Sequence, residues 1–426
     1  MAEASPLFAP MRVGPLEVAG RLFKTATAET RASEAGFVSD ELVEVYDQWA
    51  RGGTPLIITG NLYVSAQGKS TQRMCGADAD DKIPGLARLA ASVRRHGSRL
   101  IAQLNHCGRQ VVVGHTGVSD PVSASAVYEP ILGTRPRALR EDEIPPIVDA
   151  FAAAAQRCQQ AGFDGVQVHA AHGYLLSQFL TPHTNRRRDG YGGTPEKRAR
   201  IVREVLRETR RRVGPDFALL LKLNGHDLLP GRRGLDLEAC VQVARLLEAE
   251  GADAVEVSVG HYESGFPVTA GSFDGFYRDL LERGLGRKLD WFRRASLRVG
   301  HAALDALSRR LWPPREGFNL DYARRFKQAL RIPVICVGGF HTRAAMEAAL
   351  ASGACDAISC GRAFIADPWL AEHLRSGVPG PQCSYCNRCL ARATEPVDCW
   401  DPAVRAQKLT LLAEQGALRA PEGGPG

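Results

Sequence analysis

No stretch of this chain is apolar for long enough to cross a bilayer as a helix. Its first residues, MAEASPLFAPMRVGPLEV, carry acid and proline where a secretory signal needs a basic start and an unbroken apolar run. The expected location is the cytoplasm. No G-x-G-x-x-G follows an early strand pattern, which leaves a Rossmann dinucleotide domain without support. A chain-wide basic surface is missing as well. The formal charge is +7, but between Arg278 and Arg315 ten Lys or Arg stand against four Asp or Glu, a balance of +6. Nearly all the excess lies in that segment, and nothing marks the whole protein as a nucleic-acid binder. What remains is a 426-residue chain, 44% apolar and 24% charged, with the balance of a soluble globular protein.

Eight near-continuous apolar runs alternate with helix-periodic segments: LFKTAT, PLIITGNLYV, LIAQLNH, GVQVHA, FALLLKLN, AVEVSVG, PVICVGG and AISCGR. Strands buried on both faces of a parallel sheet read this way. The helical pattern after Asp236 repeats apolar residues at Cys240, Val243, Ala244 and Leu247, with Asp236 as N-cap and Gly251 beyond the stop. Eight strand–helix units in series predict a (β/α)8 TIM barrel rather than a doubly wound sheet. The barrel is expected over residues 1–378. It carries a basic helical insertion after strand six, about residues 262–316, and a Cys-containing extension over 379–426 whose end, APEGGPG, is expected to be disordered. A Gly-, Ser- and Pro-containing stretch, Val111 to Arg140, is expected to form a loop over the barrel mouth.

The segment VHAAHGYLLSQFLTPHTNRRRDGYGG places His169, His172 and Tyr174 at the end of the fourth apolar run. In a barrel of parallel strands, groups at the C-terminal strand ends face the active-site mouth. For an arbitrary HxxH the plainer reading is two histidines satisfied by backbone groups in a loop. A long buried strand that empties directly into protonatable groups favours a site instead.

With RLFKTAT, PLIITGNLYVS, IAQLNHCGRQ, the His169–Tyr174 segment, VGGFHT and ISCGRAFIADP in order, the chain resembles the Old Yellow Enzyme family over roughly residues 5–400. These are flavin-dependent ene-reductases related to the barrel domain of dienoyl-CoA reductases. The resemblance implies FMN as cofactor and NAD(P)H as reductant, in a ping-pong cycle that reduces the activated C=C bond of an enone, unsaturated acid or CoA ester. It places Lys222 at the N1–C2 edge of the flavin and Gln103 at its pyrimidine, with backbone N–H groups of Ala28 and Gly60 toward the ring. Gly338, Gly339, Gly361 and Arg362 fall where the flavin phosphate is held. His169 and His172 match the pair that holds the substrate carbonyl, and Tyr174 matches the proton donor to the α-carbon. Ala28 stands where many relatives carry Thr or Cys near the flavin O4–N5 edge, so an altered flavin potential is expected. The same pocket could support amine oxidation or demethylation. A tRNA-uridine-reducing barrel or a non-catalytic flavin carrier are further readings. The basic excess invites the tRNA reading, but that excess is confined to the insertion and no cysteine stands in the place of an acid near His169. The joint presence of His169, His172, Tyr174 and Lys222 argues against a carrier.

Two features lie outside this pattern. Cys383, Cys386, Cys389 and Cys399 are spaced x2, x2, x9, and four thiols in so short a span of a cytoplasmic protein suit metal ligation better than disulfides. The dienoyl-CoA reductase branch holds a [4Fe–4S] cluster near this point, with slightly longer third and fourth intervals, to pass electrons from a second flavin domain that is not expected in this chain. A cluster, a zinc site and free thiols stay open, free thiols being the leading single reading. In the insertion, Leu289, Trp291, Phe292, Leu297, Leu304, Leu307, Leu311 and Trp312 are interleaved with arginines. A helical pair packed on the barrel rim with snorkelling arginines is expected. A lid for an acidic or bulky substrate, or a surface touching anionic membrane, are the sharper readings. The partner is expected to be a small unsaturated molecule, and the chain a homo-oligomer.

Overall fold

Eight short parallel strands close on one another: β1 Leu22–Lys24, β2 Leu56–Tyr63, β3 Arg99–Asn105, β4 Gly165–His169, β5 Ala218–Asn224, β6 Ala254–Ser258, β7 Val334–Val337 and β8 Ala357–Cys360. They form a closed barrel in sequence order, with β8 returning to β1 through Ile358 opposite Leu22 and Cys360 opposite Lys24. The computed structural model describes residues 5–416 except 112, 114–115, 230, 232–233, 266–268 and 289–290. Leu289 of the insertion and the APEGGPG terminus therefore lie outside the described residues.

Side chains alternate between the barrel interior and the ring of helices, as a period of two requires. Outward residues such as Ile57, Leu100, Val166, Leu219 and Val255 join the helices in the larger core. Inward residues near the N-terminal ends (Phe23, Leu56, Ile58, Ile101, Ala218, Leu220, Ala254, Ile335, Ala357) make a separate apolar floor. A short hairpin, Met11–Val13 with Leu16–Val18, closes that floor from below through Val13, Leu16 and Val18. Along the same columns the next inward residues are polar: Gln103, Gln167, Lys222, Glu256 and Ser359. The interior thus changes from apolar to ionic within one or two residues as it approaches the mouth.

The helices follow their sequence signals. Asp236 accepts from the Ala239 N–H at 2.9 Å to cap Leu237–Glu248, which buries Cys240, Val243, Ala244 and Leu247. The helix Pro195–Val213 opens on a Thr194 cap with Pro195 in its first turn and closes on Arg210, Arg211 and Arg212, where cations suit the dipole.

The insertion follows β6 and forms two described helices, Phe276–Glu282 and Trp291–Leu311. Phe273, Phe276, Tyr277, Leu297, Leu304 and Trp312 pack together with Ala391 of the C-terminal tail. Buried Asp279 receives Arg388 at 2.7 Å and Arg392 at 2.9 Å, so insertion and tail are tied by one carboxylate. Trp291 and Phe292 do not join this cluster and are 81% and 64% exposed. The apolar positions divide over two faces of the long helix, and among the described residues Leu297 and Leu304 are the ones that pack on this cluster. Among the described residues no helix is long and apolar enough to cross a membrane.

Candidate active site

Parallel register sets Lys222 beside His169 on one side and beside Glu256 on the other. The Lys222 ammonium donates to Glu256 Oε2 and to Thr25 Oγ1, both at 2.9 Å. Glu256 also accepts from the hydroxyls of Thr25 and Ser359 and, at 3.0 Å, from the Gln167 amide. Gln167 in turn accepts from Gln103 Nε2 at 2.6 Å. Burial alone would raise the Glu256 carboxyl, yet Lys222 and the hydroxyl donors hold it below the usual carboxylate range. The floor of the site is one connected polar network on rigid strands.

His169 ends β4, and the chain then turns sharply. His172 adopts a left-handed conformation, φ 60°, with its N–H accepted by Asn224 Oδ1 at 3.2 Å. Gly173 follows at φ 79°, where an added Cβ would lie 2.6 Å from His261 Nε2. This turn folds His172 and Tyr174 back over His169. The ring centroids stand 5.1 Å apart for His169 with His172 and 4.9 Å for His169 with Tyr174, both edge to face. Strained backbone held by the surrounding fold is common at functional sites.

Both imidazoles are neutral. Burial, then the proximity of the second imidazole, His172, and of the Lys222 charge, push His169 well below the ordinary histidine value, and burial with Lys222 lowers His172 to about 3. The Ala171 N–H donates to His169 Nδ1 at 3.3 Å, which assigns the single ring proton to Nε2. That proton points to His172 Nδ1, 3.4 Å away, while His172 Nε2 meets the Ser258 hydroxyl at 2.8 Å. Burial, Cys107 and Tyr262 raise the Tyr174 phenol above its ordinary value, so it too carries its proton.

Two cavities meet over this group. One of about 300 Å3 touches Thr25, Ala28, His172, Lys222 and Ser258, runs past Gly339, Gly361 and Arg362, and is walled by tail residues including Cys383, Tyr385 and Asn387. The other, of about 690 Å3, is lined by residues that include Ala28, Gly60, Asn61, Tyr174, Tyr262, Arg283 and Arg287. Ala28, Leu390, Ala393 and Glu395 line both.

Of the residues expected from sequence, His172, Tyr174, Lys222, Ala28, Gly60, Gly339, Gly361 and Arg362 line these cavities, and His169 lies directly behind His172 and Tyr174. Gln103 and Gly338 are disposed otherwise, and Gly60 lines the cavity with its N–H already bonded. The Gly60 N–H donates to the Tyr46 hydroxyl at 2.9 Å and is already engaged. Gln103 is buried and turned onto Gln167. Gly338 packs on Asn319, whose backbone N would lie 3.0 Å from an added Cβ, while Gly339 at φ 73° faces the cavity. Arg362 donates to the Ala270 carbonyl at 2.8 Å and to Asn387 and lies 5.1 Å over the Tyr385 ring.

Sequence reasoning missed Glu256, Ser258, Thr25, Tyr262 and the tail wall. An acid inside the apolar run AVEVS was the available signal for Glu256. Lys24 offered a similar one. It is fully buried with its ammonium 4.1 Å from the Trp49 ring centroid and 3.7 Å from Glu29, and burial lowers it to about 8. The four tail cysteines are free thiols that influence one another electrostatically. Cys383, Cys389 and Cys399 pack with Ile365, Ala366 and Val397. Among the described residues no three His, Cys, Asp or Glu side chains are gathered at spacing that would hold a metal ion.

A model of the NADH:flavin oxidoreductase / NADH oxidase family matches residues 6–277 and 298–380, leaving residues 278–297 of the insertion and the tail outside it. An NADH oxidase of Thermoanaerobacter brockii is 34% identical over 386 residues, 89% of this chain and 52% of that protein. The chain spans about half the length of the first curated relatives it matches. Among solved structures, a 2-naphthoyl-CoA reductase bound to 2-naphthoyl-CoA superposes with a TM-score of 0.78 at 26% identity, covering 93% of this chain and 58% of that one. The old yellow enzyme homologue of Zymomonas mobilis gives 0.70 at 25% identity, covering 94% and 99%.

Proposed function

Because the chain belongs to the NADH:flavin oxidoreductase / NADH oxidase family, we propose that it binds FMN across the barrel mouth and uses NAD(P)H to reduce an activated C=C bond. The residues present fit that cofactor. The smaller cavity joins a buried cation, Lys222, to Gly339, Gly361 and Arg362, a cation and glycine backbone suited to a phosphate. Ala28 lies at the junction of the two cavities, on the path of a flat ring. When bound, FMN supplies two-electron hydride chemistry between the nicotinamide and the alkene.

The protein's own groups do the rest. Lys222, fixed by Glu256 and Thr25, sets positive charge where a reduced ring system gathers negative charge. His169 and His172, held neutral by burial, are proposed to turn their Nε2–H groups from their present partners, His172 Nδ1 and Ser258, to the substrate carbonyl, stabilising the oxyanion that develops as the β-carbon accepts hydride. Their neutrality matters, because an imidazolium pair beside Lys222 would repel itself. Tyr174 keeps its proton until the α-carbon becomes basic and then delivers it. Alkene and nicotinamide are proposed to occupy the same exposed face in turn. The observation that carries this reading is the convergence of two neutral imidazoles and a neutral phenol beside Lys222. In stopped-flow experiments, Tyr174→Phe should slow the alkene half-reaction by about 100-fold or more while NAD(P)H reduces the flavin at nearly the parent rate. Equal losses in both half-reactions refute the assignment.

We also propose that the four tail thiols are free and act as packing groups, with an iron–sulfur cluster as the alternative: four thiols suit one in kind and number, but among the described residues no three are gathered at ligand spacing. Anaerobically purified protein should then contain no iron or acid-labile sulfide, whereas about four of each per chain would establish the cluster.

A further inference from the structure

Two of the charged residues that line the larger cavity have no ion-pair partner among the described residues. Six ionisable residues other than the phenols and Cys75 line it: Glu29, Arg31, Arg73, Arg283, Arg287 and Glu395. Four have partners. Glu29 faces Lys24 at 3.7 Å, Arg31 and Arg73 share Glu41, and Glu395 meets Arg392 at 3.8 Å. Arg283 and Arg287 make no ion pair among the described residues.

The turn that carries them is seated with little freedom. An added Cβ at Gly284 would fall 2.0 Å from the Ala391 carbonyl, and one at Gly286 would fall 2.7 Å from that of Leu280. Thr394 also donates to the Arg283 carbonyl at 3.2 Å. Close backbone packing therefore fixes the turn, and its exposed Arg283 and Arg287 line the same cavity as Tyr174 and Asn61. Uncompensated cations at the mouth of a partly apolar cleft concentrate anions there and lower the potential energy of a negative ligand entering it. Both residues belong to the stretch that the family model leaves unmatched, so this charge is an addition to the common barrel.

We infer that the alkene substrate carries an anionic group remote from its double bond, a phosphate or carboxylate tail, and that Arg283 and Arg287 bind that tail. The inference rests on the alkene-reducing reading of the inner site. The arginines are specificity residues that never touch the reacting atoms.

The test uses FMN-loaded full-length protein and three alkenes: crotonoyl-CoA, the uncharged crotonoyl N-acetylcysteamine thioester, and 2-dodecenedioic acid. Parent protein should prefer crotonoyl-CoA over the neutral thioester. In the Arg283→Ala/Arg287→Ala variant that preference ratio in kcat/KM should fall about tenfold at low salt, mostly through KM. Raising the ionic strength of the parent should erode the ratio in the same direction. If the diacid loses rate alongside the CoA thioester, the arginines read charge. If only the CoA thioester loses, they read its phosphates. No preference in the parent, or an unchanged ratio in the variant, overturns the inference. Butyryl-CoA titrated against the flavin absorbance separates this from failure of the inner-site reading. Binding that weakens about tenfold in the variant while no alkene is reduced keeps the anion subsite and removes alkene reduction.

Discussion

Replacing Glu256 with Gln tests whether the polar network under the site is an ion pair or a set of ordinary hydrogen bonds. The carboxylate is fully buried, its partner Lys222 has a side chain only 5% exposed, and the two stand 2.9 Å apart. At an effective dielectric near 20 their attraction is about 6 kcal/mol. The desolvation of two ions offsets much of that, so the pair contributes little net stability against apolar packing. Removing one member is different, because it leaves a buried charge without compensation, at a cost of about 3–5 kcal/mol. Glu256→Gln keeps the shape, and its Oε1 can still accept from Thr25 and Ser359, but its Nε2 cannot accept from the Gln167 amide or from Lys222, so the ammonium is stranded. Lys222→Met strands the carboxylate. Each single variant should lower the denaturant midpoint strongly, while the double variant should cost about 2 kcal/mol or more less than the sum of the two. The assay is equilibrium urea unfolding of the flavin-free protein, followed by fluorescence and circular dichroism together. Additivity within about 0.5 kcal/mol would refute the ion-pair argument. The pH dependence has a definite sign. A carboxyl held below its unfolded value stabilises the fold above about pH 4.3, and that contribution is lost as pH falls through the lower folded value. Glu256→Gln should flatten that acid limb.

The imidazole pair predicts a second pH effect. His172 titrates at about 3 in the fold against about 6.5 unfolded, so its stabilising contribution is complete above 6.5 and falls as pH drops toward 3. His172→Asn should shallow that slope, and the alkene half-reaction should show no histidine titration between pH 5 and 8. A steeper slope in the variant would contradict the assignment. Gly60→Ala places a Cβ 2.0 Å from Glu29 Oε2 and 2.3 Å from the Thr27 carbonyl beside Ala28. It should cost about 1–3 kcal/mol and lower the FMN content of purified protein, read from the absorbance ratio at 450 and 280 nm. Asp279→Ala removes, among the described residues, the one ion-pair partner of Arg388 and one of two for Arg392, both largely buried. The tail after residue 379 should then be cleaved faster in limited proteolysis, and an unchanged pattern would show that apolar packing alone holds it.

The barrel was legible in the amino-acid order because strand and helix periodicity are local properties. Eight apolar runs, caps such as Asp236 and the residues at strand ends all announce themselves within a few positions. The same locality exposed His169, His172 and Tyr174, since a strand that empties into protonatable groups is readable in one segment. Burial at the far end of a chain is not. Glu256 reads as a solvated acid until closure of the barrel turns it inward onto Lys222, Thr25 and Ser359 from three other strands or strand ends. The neutrality of the imidazoles likewise follows from desolvation, which no residue spacing encodes. The greatest distance lies between the insertion and the tail, more than 100 residues apart, which Asp279, Arg388 and Arg392 bring together as the outer wall of the site. Chain order determined the barrel and its inner chemical groups, whereas tertiary packing decided their protonation, their partners and which surfaces enclose a substrate, because those depend on contacts made only after the sheet has closed.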